Sequence, residues 1–150
     1  MTQPADSAAA MDLLKLENQL CFPLYAASRQ FTKAYQPYLQ ALDLTYPQYL
    51  VLLLLWEHTE LSVKDLGEKL LLDSGTLTPL LKRMEQKQWL SRRRDPRDER
   101  SVLIRLELGG EALRQQACQI PQQLFAQLAM SPAEAAALRT LLNKLLTQLA

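Results

Sequence analysis

LDSGTLTPLLKRMEQKQWLSRRRDPRDERSVLIRLEL, residues 72–108, is the stretch whose reading decides the fold. In its first half Leu77, Leu80, Leu81, Met84 and Trp89 recur at helical spacing and form a stripe that must be buried. The other face carries Thr76, Thr78, Lys82 and Arg83, small polar and basic groups suited to a groove floor and to phosphates. Asp73 or Ser74 is placed to cap this helix, and Pro79 is expected early in it, where distortion is tolerable. Trp89-Leu90-Ser91 ends the helix, and Arg92-Arg93-Arg94 leads into a turn at Asp95-Pro96-Arg97-Asp98. Val102-Leu103-Ile104-Arg105-Leu106 then returns as an alternating, β-branched strand. A recognition helix followed by a basic two-stranded hairpin is the layout of a winged helix-turn-helix. The helix reads the major groove and an arginine-tipped wing reaches the adjacent minor groove.

Charge agrees. Lys82 to Arg105 holds nine Lys or Arg against four Asp or Glu, a local excess of about +5, while the whole chain is only +1. A solvated hairpin with no partner would explain the charge alone; the helix–wing order makes it a module for double-stranded DNA.

Working outward, the 150 residues suit one domain. Residues 1–10, MTQPADSAAA, lack the basic and apolar regions of a signal peptide and are expected to be a disordered tail. The longest apolar run, Tyr49 to Trp56, is too short to span a bilayer. Two distant cysteines and one histidine make neither a disulfide framework nor a metal cluster, so no metal or cofactor is expected. The expectation is a cytoplasmic protein with free thiols.

The first helix is expected from about Asp12 to the Tyr38 region, kinked near Gln19 by Pro23 and bent near its end by Pro37. Thr45, Pro47 and Gln48 open a second helix with a capping-box pattern; its body, YLVLLLLWE, is apolar nearly all round and reads as deep core. His58 closes it as a partner of the helix dipole. Ser62 caps a short helix over Val63–Leu71, the first half of the helix-turn-helix. Gly109-Gly110 punctuates, and a helix from Glu111 to Leu128 follows, bent at Pro121. Ser131-Pro132-Ala133-Glu134 opens the last helix with a second capping box. Leu138, Leu141, Leu142, Leu145 and Leu149 give it an apolar stripe.

The fold class is therefore mainly α with a small β wing. Residues 11–150 form one domain, with a winged helix-turn-helix over about 45–108 and end helices over about 11–42 and 110–150. Those end helices are too apolar for so small a core. Either they wrap their own wing domain or they build a homodimer, and a dimer would space two recognition helices about 34 Å apart on a pseudo-palindromic operator.

Cys21 lies within LENQLCFPLYAASRQFTKAY, partly buried by its helical neighbours. A cysteine among Leu and Phe is ordinarily a small inert hydrophobe. Against that, all five tyrosines, Tyr25, Tyr35, Tyr38, Tyr46 and Tyr49, fall in this part of the chain. Phenolic donors aimed at the sulfur would favour a thiolate without a neighbouring cation.

LENQLCF with a Tyr four residues after the Cys, LTYPQYLVLLLLWE, DSGTLTPLLKRME and DERSVLI together resemble the organic-hydroperoxide-sensing branch of the MarR family of dimeric winged-helix regulators. The resemblance runs from Leu16 to about Pro121, and it implies a repressor that releases its operator when Cys21 is oxidised. It implies that Tyr35 and Tyr46 hydrogen-bond the Cys21 thiolate. Asp73, Ser74, Gly75, Thr76, Thr78, Pro79, Lys82 and Arg83 match the recognition-helix contacts. On the wing, Arg100 is the minor-groove arginine, oriented by Asp98, and Arg92 joins the DNA-binding set. The inducer is an organic hydroperoxide.

Two departures stand out: Pro23 follows the sensor closely, and the second cysteine is Cys118, where two-cysteine members carry theirs at the position of Ala126. Cys118 is thus either a candidate resolving thiol or a buried small residue. The sulfenic acid would otherwise meet a low-molecular-weight thiol or be oxidised further. Two other readings remain at this point. One is a regulator answering a small phenolic ligand, with Cys21 passive. The other is a thiol-dependent peroxidase, which would need a cation beside Cys21, and Lys15 and Arg29 are poorly spaced for that.

Overall fold

The computed structural model describes residues 9–150, so most of the expected N-terminal tail lies outside the described residues. Residues 9–12 are helical, and a 3₁₀ turn follows at Leu16–Asn18. Seven helices then alternate with a small sheet: α1 (Cys21–Gln40), α2 (Tyr46–His58), β1 (Glu60–Ser62), α3 (Val63–Leu70), α4 (Ser74–Gln86), β2 (Leu90–Asp95), β3 (Asp98–Leu106), α5 (Leu108–Ala117), α6 (Ile120–Gln127) and α7 (Pro132–Leu149).

The expected kink near Gln19 is a complete break. Gln19 is extended at φ −88°, ψ 131°, and α1 starts afresh at Cys21. The cause is Pro23, which falls in the first turn of α1, where its missing N–H removes a donor that would have no intrahelical partner. Pro37 does not break the helix: it is carried inside α1, which runs on to Gln40.

Thr45 forms the expected capping box with Gln48 at the start of α2. The helix buries Gln48, Tyr49, Val51, Leu52 and Leu55, but it is not core all round: Leu53 is exposed. Ser62 caps α3 and Asp73 caps α4, each accepting from the backbone N–H three residues on. Leu77, Leu80, Leu81 and Met84 from α4 enter the core with Leu39, Leu66, Trp89, Leu90 and Ile104. Trp89 belongs to that core but lies beyond the helix, which ends at Gln86. Pro79 stands further in than expected, in the second turn of α4.

The sheet is antiparallel in the order β1-β3-β2, with Leu61 opposite Ile104 and Arg92 opposite Ile104 on the other edge. β3 begins at Asp98, so the wing strand is longer than the Val102–Leu106 run suggested. Gly109 and Gly110 do not separate strand from helix; they are part of the first turn of α5. A Cβ on Gly110 would lie 2.3 Å from the Trp89 carbonyl oxygen, and one on Gly109 would lie 2.6 Å from that of Gln88. These glycines let α5 lie directly on the backbone that leads into the wing. The long helix expected after them is two helices, parted at Cys118-Gln119, with Pro121 in the first turn of α6.

Ser131 and Glu134 make the second capping box, yet α7 buries no residue. Leu138, Leu141, Leu146 and Leu149 of α7 are exposed, as are Leu13, Leu14, Leu16, Leu20 and Phe22 at the other terminus. Of the end helices, α5 and α6 do pack on the wing domain, placing Ala117 and Ile120 in its core, whereas α7 and the N-terminal segment are left uncovered. No helix among the described residues is long and apolar enough to cross a membrane.

Candidate nucleic-acid interface and thiol site

The exposed face of α4 meets the wing across a cleft of about 800 Å³ lined by Asp73, Ser74, Thr78, Arg92 and Arg100 together with residues of α3. The Asp73 carboxylate accepts from the Thr76 N–H at 2.7 Å, and this backbone bond, the largest cause, holds its titration below the usual carboxylate range. The start of α4 thus presents Ser74, Gly75, Thr76 and, in the second turn, Thr78 outward on a capped end. Pro79, Lys82 and Arg83 continue that exposed face.

On the wing, the Arg100 side chain is 93% exposed. Its N–H and Nε both donate to Asp98 Oδ1, at 3.1 and 3.3 Å. Arg100 sits two residues into β3, while the turn itself is Pro96-Arg97 between the paired Asp95 and Asp98. Arg92 differs from the other candidates. Its backbone N–H and its Nε are both taken by Glu85, at 3.1 and 2.8 Å, so it ties β2 to α4. Arg93 is likewise committed, to Glu60 at 2.9 Å. Arg97 escaped the sequence reading although it occupies the apex, 85% exposed. The signal was present: Asp95-Pro96-Arg97 repeats the spacing of Asp98-Glu99-Arg100.

The thiol site is split. Cys21 is the first residue of α1 and is exposed, not partly buried as expected, because the chain breaks just before it. Within the chain its Sγ lies 3.9 Å from Gln19 Oε1. Tyr25 is turned to Arg29, whose guanidinium stands 5.3 Å from the ring centroid. Tyr38 accepts from Gln127 of α6. Tyr35 stacks with Phe31, Tyr46 and Tyr49 at centroid distances of 5.7, 5.3 and 5.7 Å.

Burial is the main cause that raises the titration of all three phenols, and Tyr49 is pushed up to about 12. They therefore stay protonated, as donors, at neutral pH. Fourteen residues of continuous helix separate Cys21 from Tyr35, about 21 Å along the axis. Tyr46 adjoins Tyr35, so it too lies far from the sulfur of its own chain. The cluster rules out contact between Tyr46 and Cys21 in cis, because the second helix starts beside the far end of the first.

Cys118 ends α5 and is exposed, its Sγ donating to the Gln115 carbonyl at 2.9 Å, so the buried reading of it does not hold. Among the described residues no group of His, Cys, Asp and Glu is arranged to hold a metal ion.

The sequence profile of the MarR family matches residues 44–102. The chain is 54% identical over 138 residues to the organic hydroperoxide resistance transcriptional regulator of Bacillus subtilis, which covers 92% of this chain and 94% of that protein. Reduced AbfR bound to DNA, from Staphylococcus epidermidis, superposes with a TM-score of 0.78 at 34% identity, covering 93% of this chain and 98% of that one. The disulfide form of AbfR superposes at 0.65, with 35% identity and the same coverage.

Proposed function

The chain belongs to the MarR family, and from that membership we propose that it is a homodimeric repressor that binds a pseudo-palindromic operator and releases it when an organic hydroperoxide oxidises Cys21. The Bacillus subtilis relative is a transcriptional regulator, which sets the thiol peroxidase aside. The observation that carries the reading is that one chain joins a helix-and-wing surface suited to DNA to an exposed cysteine on an unpartnered apolar margin.

The α4 face, Asp73 to Thr78 with Pro79, Lys82 and Arg83, lies along the major groove, and Arg100 enters the minor groove with its fork fixed by Asp98. Arg92 serves the interface indirectly, by holding the wing on α4. Apposition of the exposed leucines of α7 and of the N-terminal segment with those of a second copy buries both sets. It also supplies what Cys21 lacks in its own chain. With the two α1 helices crossing antiparallel, Tyr35 and Tyr46 of one protomer reach the Cys21 sulfur of the other and donate to its thiolate.

The thiolate attacks the terminal oxygen of the hydroperoxide. An S–O bond forms as the O–O bond breaks, sulfur loses two electrons, and the peroxide departs as an alcohol after taking up a proton. A sulfenic sulfur no longer accepts both phenolic bonds. Each charge-assisted bond is worth about 1.5–3 kcal/mol, so losing two is enough to shift the spacing of the two DNA-reading heads. A low-molecular-weight thiol can then condense with the sulfenic acid, giving a mixed disulfide and water.

The test is operator binding with and without one equivalent of organic hydroperoxide. Wild type should lose affinity at least tenfold on oxidation, whereas Cys21→Ser should bind equally in both conditions. Release of Cys21→Ser by the peroxide would overturn the assignment of the sensor.

A further inference from the structure

The wing reads RDPRDER from Arg94 to Arg100, with an arginine at every third position and an aspartate two residues before each of the last two. The structure turns that spacing into a repeated geometry. Asp98 Oδ1 accepts from the N–H and Nε of Arg100 at 3.1 and 3.3 Å. Asp95 Oδ1 accepts from the N–H and Nε of Arg97 at 2.9 and 3.3 Å, and its Oδ2 accepts from an Arg97 terminal nitrogen at 3.4 Å. The first unit is the more firmly built: the Asp95 side chain is 11% exposed, against 50% for Asp98. An arginine has five N–H donors. Arg97 gives two of them to Asp95, leaving three pointed outward from an oriented guanidinium at the apex of the hairpin.

We propose that Arg97 is a second DNA-contacting arginine of the wing, an anchor on a backbone phosphate beyond the groove that Arg100 enters. The proposal rests on the reading of this hairpin as a DNA-binding wing. Arg97 lies in the turn, outside the strand pair, while Arg100 stands two strand residues, about 7 Å, back from the turn along the hairpin. The minor groove is about 6 Å wide, so when Arg100 is inside it, a fork at the apex beyond has passed the groove and faces the flanking strand. A phosphate takes a planar fork in two parallel bonds, and Asp95 has already paid much of the ordering cost by fixing the guanidinium plane. Arg94, also exposed, extends the same period but has no aspartate two residues before it.

The experiment is a salt titration of DNA affinity for reduced wild type, Arg97→Ala, Arg97→Lys and Arg100→Ala, each on operator and on scrambled duplex. Arg97→Ala should weaken binding several-fold on both duplexes and lower the slope of log affinity against log salt by about one. Arg97→Lys, which keeps the charge, should recover most of that slope. Arg100→Ala should instead lose affinity mainly on the operator. If Arg97→Ala leaves both affinity and slope unchanged while Arg100→Ala weakens binding, the inference fails and the wing reading stands. If neither variant changes binding, the wing reading itself fails. A loss confined to the operator in Arg97→Ala would overturn the phosphate assignment, because a base-reading contact would be at work.

Discussion

Tyr49 is 2% exposed and its hydroxyl titrates near 12, driven first by burial and then by the neighbouring Tyr35 and Tyr46. The stability consequence has a definite sign. Below pH 10 the phenol is neutral in both the folded and unfolded chain, and its contribution is fully present. As pH rises from 10 through about 12 the unfolded chain ionises first, so stability falls. The loss should be on the order of 2 kcal/mol, and Tyr49→Phe should remove it; urea midpoints measured from pH 8 to pH 12 on both proteins check this. Tyr35 and Tyr46 could be picked out in the sequence as candidate donors, since both stand in recognisable stretches. Their distance from Cys21 was legible only in part. Helix rise alone excludes Tyr35 in cis, but excluding Tyr46 required knowing that its ring stacks on Tyr35. The exposure of Cys21 was misjudged for a different reason: helical spacing assigns neighbours only where the helix is unbroken.

At the scale of elements, the caps were read correctly because a cap is a local event of four residues. Thr45, Ser62, Asp73 and Ser131 all accept the expected backbone N–H. Prolines and glycines were read less well, because their meaning depends on what lies across from them. Pro23 does not kink a helix but begins one, and Pro121 does the same for α6. Gly109 and Gly110 looked like punctuation in sequence and are a packing requirement in space. Gly110 also accepts, through its carbonyl, from Trp56 Nε1 at 3.0 Å, so α2, α5 and the wing root converge on one residue. In Gly110→Ala the added carbon would meet the Trp89 backbone, which does not yield cheaply, and the end of the Leu106 side chain, which can turn aside. Destabilisation of about 1–3 kcal/mol is expected, read as a lower urea midpoint, together with weaker DNA binding as the wing root shifts. A Gly110→Ala protein with unchanged midpoint would show that α5 can back away from Trp89.

The whole molecule is set by what a single chain leaves uncovered. The end helices announced their surplus of leucine in the sequence, and the structure leaves much of it exposed, Leu138, Leu141 and Leu149 of the α7 stripe among it. Cys118 bears on how the dimer answers oxidation. It is exposed, so it is accessible to oxidant, but its sulfur is turned to its own Gln115 carbonyl. Cys118→Ser should therefore still release DNA on peroxide treatment, with oxidation of Cys21 sufficient. A quantitative Cys21–Cys118 cross-link on non-reducing gels, lost together with DNA release in that variant, would contradict this and establish a two-cysteine response.

The claim on which the sensor depends is that the phenols act across the dimer, and a mixed dimer tests it directly. One chain carries Cys21→Ser and the other Tyr35→Phe, so the single remaining Cys21 shares its chain with Phe at 35 and faces the intact Tyr35 of its partner. The quantity to measure is the rate at which that thiol is consumed by an organic hydroperoxide, beside wild type and the Tyr35→Phe homodimer. With contact in trans the mixed dimer reacts at the wild-type rate per thiol, while the Tyr35→Phe homodimer is slowed severalfold by loss of a donor to the thiolate. A mixed dimer as slow as the Tyr35→Phe homodimer would place the hydroxyl in the same chain as the sulfur, and the crossed-helix sensor would be wrong.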